Sequence, residues 1–292
     1  MATLSKGSLF DPKLVTDLVN KVKGKSSLAV LSAQTPLAFN GNKEFTFSMD
    51  KEIDIVAENG TKSEGGATIT PVTIVPIKFE YGMRVSDEFM YASEEDQIDI
   101  LKAFNDGFAA KVAKGLDIAA MHGLNPRTGA ASTVIGDNHF DKAVTQTVTY
   151  ASATPDANLE AAIALVEGSE GDVTGMAIST TMRADLAAMK NSSNEKLYPD
   201  FAFGGKPASL GGNQLDINKT VATGAVDEAI VGDFANMFKW GYAKEIPLEV
   251  IQYGDPDNSG KDLKGYNQVY IRSEIYLGWG ILDAASFARV ID

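Results

Sequence analysis

Between Glu44 and Tyr81 the chain alternates apolar and polar residues over a longer reach than an ordinary strand, and this run constrains the fold more than any other. Phe45, Phe47 and Met49 alternate with Thr46 and Ser48, and Ile53, Ile55 and Ala57 continue in step after a bulge at Asp50-Lys51. Asn59-Gly60 is a hairpin turn signal, and Gly65-Gly66 loosens the tip. Ile69, Val72, Ile74, Ile77, Phe79 and Tyr81 lead back, with Pro71 and Pro76 tolerable only on an edge strand or at a bulge. About 15 residues per arm at roughly 3.3 Å each predict a ribbon approaching 50 Å. A two-stranded ribbon is marginally stable alone in water. The economical expectation is a hairpin laid on a neighbouring subunit with its apolar face buried there. The alternative is that both strands belong to a compact intramolecular sheet.

Ser93 heads the strongest helical pattern, with Asp96 in an acidic first turn. Ile98, Leu101, Phe104, Phe108, Val112 and Leu116 form one stripe, while Asp99, Lys102, Asp106, Lys114 and Asp117 fall elsewhere. The periodicity predicts a helix over 93–121, roughly 40 Å long and ended by Gly123. His122 falls at its C-terminal end, where an imidazole can satisfy a terminal carbonyl; no Ser or carboxylate partner for catalysis is identifiable. The turn-rich connector 122–129 matches neither a P-loop nor a dinucleotide fingerprint. Thr154-Pro155-Asp156 starts a capped helix with Leu159, Ile163 and Val166 on one face. Met176 to Ile178 reads as a buried strand, followed by a helix capped by Ser179 or Thr180. Residues 191–213 are rich in Gly, Ser, Asn and Pro and read as a long loop at a contact. Strands are expected at 229–234 and 248–251, then an alternation of Val269, Ile271, Ser273 and Ile275 with Tyr270, Arg272, Glu274 and Tyr276, and a helix-like or strand end at Phe287.

At 292 residues, 44% hydrophobic and 22% charged, the chain is ordinary globular material with enough mass for a large core, and no window approaches the roughly 18 apolar residues of a membrane span. Without cysteine there are no disulfides, thiolate metal sites or thiol nucleophiles, which fits a cytosolic product. With two histidines, His122 and His139, and neither H-E-x-x-H nor an EF-hand loop, no metal or other cofactor is expected. The apolar patch Leu28 to Leu31 is too short for a secretory signal. A formal charge of −13 argues against binding nucleic acid through its phosphates. Residues 1–27 nonetheless carry a net +3, on a segment where Asp11 caps and Leu14, Leu18 and Val22 line a short amphipathic helix ended by Gly24. A solvated helix face is the favoured reading of those lysines, on an arm that docks on something else or on its own domain.

Certain pieces are specific in combination: Ala57-Glu58-Asn59-Gly60 with Lys62 and Glu64 at the loop tip, Pro76 to Phe79, then Val85-Ser86-Asp87-Glu88. To these add Asp117 to Gly123 followed by Asn125-Pro126 and Gly129, Val231-Gly232-Asp233-Phe234, and Asn267-x-Val269-x-Ile271-Arg272-x-Glu274 ending in Ala285-x-Phe287. In this order, spanning nearly the whole chain, they resemble the major capsid protein of tailed bacteriophages, with its Hong Kong 97-like fold. The resemblance implies an α+β fold with an N-terminal arm over 1–32 and an extended two-stranded loop over 33–82. It further implies a P domain, built on the long spine helix, from 83–130 and 263–292, and an A domain over 131–262. It also implies a structural, non-enzymatic protein that assembles through pentamers and hexamers into an icosahedral or prolate head around double-stranded DNA, in the virion after assembly in the host cytoplasm, with no membrane partner. Scaffolding, portal and decoration proteins are conceivable further partners; with Met1 almost directly before the arm, no internal scaffold segment is expected. Glu58, Asn59, Gly60, Lys62 and Glu64 are the expected intersubunit contacts. Some family members weld their shells by a lysine–asparagine isopeptide bond helped by a buried glutamate, which points to Lys62, Asn267 and Glu274; ordinary roles are a strand start for Asn267 and an ion pair with Arg272 or another charge for Glu274. Within the fold the alternative is an encapsulin-type nanocompartment shell. A soluble enzyme lacks a convergent nucleophile, base and oxyanion set.

Overall fold

The computed structural model of the chain describes residues 25–91, 94–224 and 227–292. The expected arm helix and the Ser93 cap lie outside the described residues. Among the described residues one long α-helix and four shorter ones are set against three sheets, and the long helix, α2 (Glu94–His122), is the element on which the others converge; α1 (Ser27–Leu31) precedes it. Leu101, Phe104, Phe108, Val112 and Leu116 are buried as the stripe predicts, but Ile98 stays half exposed, so the stripe becomes core only from Leu101 onward. From Gly115 to Gly123 every residue is buried, and Gly123 ends the helix in the left-handed region at φ 65°.

One side of α2 is covered by a three-stranded antiparallel sheet in the order β3-β10-β9, built from β3 (Ile77–Ser86), β9 (Phe238–Ile251) and β10 (Gln268–Ile281). In the central strand β10 the apolar and polar positions alternate as read, but Tyr270 and Glu274 are buried as well as Val269, Ile271 and Ile275. It is covered on both faces. Trp279 meets Phe79 near α2, while on the other face Gly278 and Gly280 leave room for Leu37 and Ile74. Strand β9 is far longer than the predicted 248–251, because Phe238 and Trp240 extend its pairing along β10.

The second sheet has six strands in the order β4-β11-β8-β5-β7-β6: β4 (Thr147–Thr149), β5 (Gly175–Ile178), β6 (Ser209–Leu210), β7 (Asn213–Ile217), β8 (Asp227–Gly232) and β11 (Phe287–Ile291). One face packs on α4 (Pro155–Gly168) and α5 (Thr180–Ala188), through Leu159, Val166, Met182 and Leu186 against Met176, Ile178 and Val231. Ala177 and Ile230 point the other way, into a core shared with α2 and with Phe140 of α3 (Phe140–Ala143). Burial on both faces explains the unbroken apolar stretch Ala229–Ile230–Val231 in β8. Ser179 caps α5 by accepting from Met182 N at 2.9 Å, whereas Thr154 makes no side-chain cap on α4. The stretch 191–213 is not the plain loop expected: Phe201 is buried in a turn over Pro199–Gly204, β6 lies within it, and β7 begins at its end. β9 lies in the 131–262 segment yet pairs with β10, and β11 lies in the 263–292 segment yet pairs with β8.

The hairpin forms a sheet of its own, β1 (Asn42–Met49) antiparallel to β2 (Ala67–Ile74). It is shorter than predicted. The ladder stops at Met49, where the Asp50 side chain takes the Gly66 N–H at 2.7 Å, so no strand runs through Ile53 and Ile55. Eight residues per strand give a ladder of about 27 Å. Pro76 breaks the return arm, and Ile77, Phe79 and Tyr81 belong to β3.

Gly241 tests the packing of residues 34–37 along β9. A Cβ there would stand 1.7 Å from the Thr35 carbonyl oxygen, so Gly241→Ala is expected to cost about 2 kcal/mol by overpacking. Gly107→Ala, mid-helix with nothing within 4 Å of the new Cβ, is expected to add about 0.5–1 kcal/mol. Chemical denaturation of the two variants checks the opposite signs; equal shifts would contradict this packing.

Candidate functional site

In β1 the apolar positions face away from the body. Phe45, Phe47 and Met49 are 64%, 61% and 75% exposed, and their cross-strand partners Pro71, Ile69 and Ala67 lie on the same face. The opposite, more polar face is the partly covered one, at Asn42, Glu44 and Thr46. Beyond the ladder Ile53 and Ile55 are 95% exposed. The root is fixed: Ile74 is fully buried against Gly280 of β10, and Glu44 pairs with Lys239 of β9 at 2.9 Å. The hairpin is thus a stalk with a firm root and an uncovered apolar side.

The residues expected at contacts lie at its tip. Glu58, Asn59, Gly60, Lys62 and Glu64 are all exposed; Asn59 is left-handed at φ 67°, and Gly60 N donates to Ala57 O at 2.8 Å. Asn267 is also exposed and left-handed, in the turn that opens β10, with its carbonyl accepting from Asp87 N at 2.9 Å. Glu274 is buried, yet its carboxylate meets Lys78 Nζ at 2.6 Å and Arg272 Nε at 3.5 Å. The Glu274 hydrogen bond holds the Lys78 ammonium above its usual pKa. The loop before Asn267 is clamped by Arg84, which donates to Asp255, to Gln268 and to the Lys261 carbonyl at 2.6, 3.1 and 2.8 Å and to both oxygens of Asp257. That guanidinium holds the Asp257 carboxyl well below the usual range.

Two buried polar nodes in the last turns of α2 were not legible as such. Asp117 accepts from Ser26 Oγ, Ser27 N, Leu28 N and Thr220 Oγ1 at 2.5, 3.0, 3.3 and 2.7 Å, and so ties α1 and the turn over Lys219–Ala222 to the helix. Burial pushes its carboxyl up to about 6 against those hydrogen bonds. His122 does bond a carbonyl, but that of Thr220, and it has the carboxylate partners that sequence reasoning did not find: Asp141 Oδ2 at 3.0 Å and Asp227 Oδ2 at 3.8 Å. Arg289 Nη2 lies 2.8 Å from Asp227 Oδ1 and 3.0 Å from Asp141 Oδ1. Burial first, then the neighbouring Asp141, pushes the Asp227 carboxyl up to about 8. His122, Asp141 and Asp227 bring ligand-type atoms within 4.8 Å of one another, the spacing of a metal site. Arg289 already bridges Asp141 and Asp227 and places a side-chain cation beside them. Both imidazole nitrogens are engaged, which leaves neither free to act as a general base.

Comparison with known proteins agrees with this picture. The family model described as "Phage capsid family" matches residues 6–291. Among solved structures the chain is similar to one from Mycobacterium phage Ogopogo, at 32% identity over 92% of each chain with a TM-score of 0.79. It is also similar to one from Gordonia phage Cozz, at 24% identity over 91% of this chain and 86% of that one, TM-score 0.75. The capsid of a native GTA particle shares the fold at 16% identity over 91% and 89%, TM-score 0.65. A comparison with curated proteins finds no match.

Asp117→Ala strands four buried donors, and is expected to cost about 3 kcal/mol. Thr220→Val removes one of them and is expected to cost about 1 kcal/mol. Denaturation measures both, and amide exchange at Ser27 and Leu28 should quicken in the Ala variant. Unchanged protection there would show that Asp117 does not hold α1.

Proposed function

The chain belongs to the phage capsid family, and from that premise we propose that copies of it join through pentamers and hexamers into an icosahedral or prolate head around double-stranded DNA. It is a structural major capsid protein; the encapsulin alternative is not favoured. The observation that carries the assembly reading is the outward apolar face of the hairpin. A register that turns Phe45, Phe47 and Met49 to solvent and Glu44 toward the body makes no sense for a monomer, because one residue of slip would exchange the faces. Burying such side chains contributes about 1.5–3 kcal/mol each. A neighbouring copy is the proposed cover, with Glu58, Asn59, Gly60, Lys62 and Glu64 at the contact. The division into a P domain over 83–130 and 263–292 and an A domain over 131–262 belongs to the same proposal, as do scaffolding, portal and decoration partners and assembly in the host cytoplasm. The formal charge of −13 supports an inner wall that does not hold DNA phosphates. No helix among the described residues is long and apolar enough to cross a membrane.

Phe47→Ser combined with Ile69→Ser is expected to leave the subunit's melting temperature nearly unchanged, since both side chains are exposed in it. Shell yield, counted by electron microscopy and sedimentation, should fall at least about tenfold, the loss expected when some 1.4 kcal/mol or more per contact disappears. Deleting residues 59–66 should be worse still. Wild-type yield from both would refute the extended-loop reading.

Lys62, Asn267 and Glu274 remain the proposed candidates for a covalent bond between subunits. The ion pair of Glu274 with Lys78 supports a structural role for that carboxylate, because a base held at 2.6 Å by an ammonium must first be freed. Denaturing electrophoresis of particles is expected to give one band near 31.1 kDa. A ladder abolished by Lys62→Arg would establish the bond instead.

A further inference from the structure

His122 lies at the junction of α2, α3, the turn over Lys219–Ala222 and the six-stranded sheet, and its two ring nitrogens pose a chemical question. Nδ1 stands 3.0 Å from Asp141 Oδ2, and Nε2 stands 3.0 Å from the Thr220 carbonyl oxygen. Both partners can only accept. A neutral imidazole has a single N–H, so one lone pair would point at an oxygen in a site closed to water. The imidazolium satisfies both contacts. Its charge also faces the Asp141 carboxylate, in a site where the His122 side chain is 1% and that of Asp227 0% exposed.

We propose that His122 is a proton-operated latch between the long helix and the six-stranded sheet. With its proton it fastens the last turn of α2 to α3 and to the turn at Thr220. Without it the Thr220 contact becomes repulsive or empty and the turn is released, while Arg289 keeps Asp141 and Asp227 joined. This inference does not depend on the assembly reading.

The groups that face the imidazole are few. On α2 itself Asp117 is turned to Thr220 Oγ1, the hydroxyl of the residue whose carbonyl His122 holds. Before α3 come Asp137 and His139, the latter ring packed where a Cβ on Gly123 would lie. α3 brings Asp141; β8 brings Asp227, while its neighbour Glu228 is bonded to Ser179; β11 brings Arg289; Lys219 in the turn is exposed. Burial works to lower the pKa of His122, but the hydrogen bond and charge of Asp141, with the Thr220 carbonyl, outweigh it and hold the imidazole above 6.5. Burial pushes His139 the other way. A raised folded pKa places the latch's full contribution below pH 6.5 and removes it as pH rises through the folded value. Asp227, also raised, favours the same direction, so it must be separated by mutation.

The chain has only two histidines, which makes the test direct. The imidazole C–H resonances of the full chain are followed by NMR from pH 5 to 9, with amide exchange of 138–144 and 218–223, corrected for intrinsic rate. His122 should titrate above 6.5 and His139 below it. Exchange at 218–223 should rise about tenfold through the His122 midpoint in wild type, His139→Gln and Asp227→Asn. In His122→Gln it should be raised and independent of pH. If that variant fails to fold, Asp141→Asn serves, with the His122 midpoint and the exchange midpoint moving down together. His122 titrating at or below 6.5, or protection unchanged through its midpoint, would overturn the latch. So would a pH dependence that vanishes in Asp227→Asn while His122 still titrates.

Discussion

The last two turns of α2 are buried on every side, and the rest of the structure depends on how that burial is met. A helix surrounded by apolar neighbours would have nothing to set its rotation or its axial position beyond shape. Here two polar residues on those turns do so. Asp117 collects donors from α1 and from the turn at Thr220, and His122 reaches α3 and the same turn five residues further on. Leaving any of these groups unpaired in a dry site costs more than the bond itself contributes. The register between helix and sheet is therefore held by what would be lost on slipping as much as by what is gained in place.

The hairpin obeys the opposite logic. Its root is pinned by Ile74 and by the Glu44–Lys239 pair, while its apolar side has no cover within the chain. A body that solves its own burial so completely, with both faces of β8 and β10 covered, shows that the sequence had apolar residues to place and did not place these inside. Their exposure is a property of the register, since Thr46 and Glu44 take the inward positions that Phe45 and Phe47 could have had. That asymmetry between a finished core and an unfinished projection is what a subunit of a larger object requires.

Local periodicity makes the long helix from Leu101 onward, the helices α4 and α5 and the strands at Met176 and Ala229 legible, because in each the pattern and the burial coincide. It failed where tertiary cover decided. The alternation in β10 leaves the face of Tyr270, Arg272, Glu274 and Tyr276 undecided; that face is covered by residues near Leu37 and Ile74, more than 190 positions away. β7 was hidden by the Gly- and Asn-rich stretch before it, where no side chain announces a strand. The alternation predicts too long a hairpin because it persists in Ile53 and Ile55 after Asp50 has ended the ladder. For Asp117 and His122 a signal did exist. They are the only polar residues in the apolar run from Leu116 to Met121 and its end, and a lone charge in such a run is a buried group with partners elsewhere.

Those partners are what no single-chain pattern names, and Glu274 shows why this matters for assigning chemistry. The spacing of Asn267 and Glu274 suits a covalent weld, and a carboxylate in an apolar pocket would be a competent base. The same two residues with the same spacing are equally at home as a turn and an ion pair. Lys78 reaches Glu274 from β3, a strand paired with β10 only after the chain has passed through five of the six strands of the other sheet. An ammonium at 2.6 Å places Glu274 in a salt bridge without changing one residue of the motif. The surroundings of a motif in this fold are accordingly set by the strand laid beside it, and β3 brings an ammonium to Glu274.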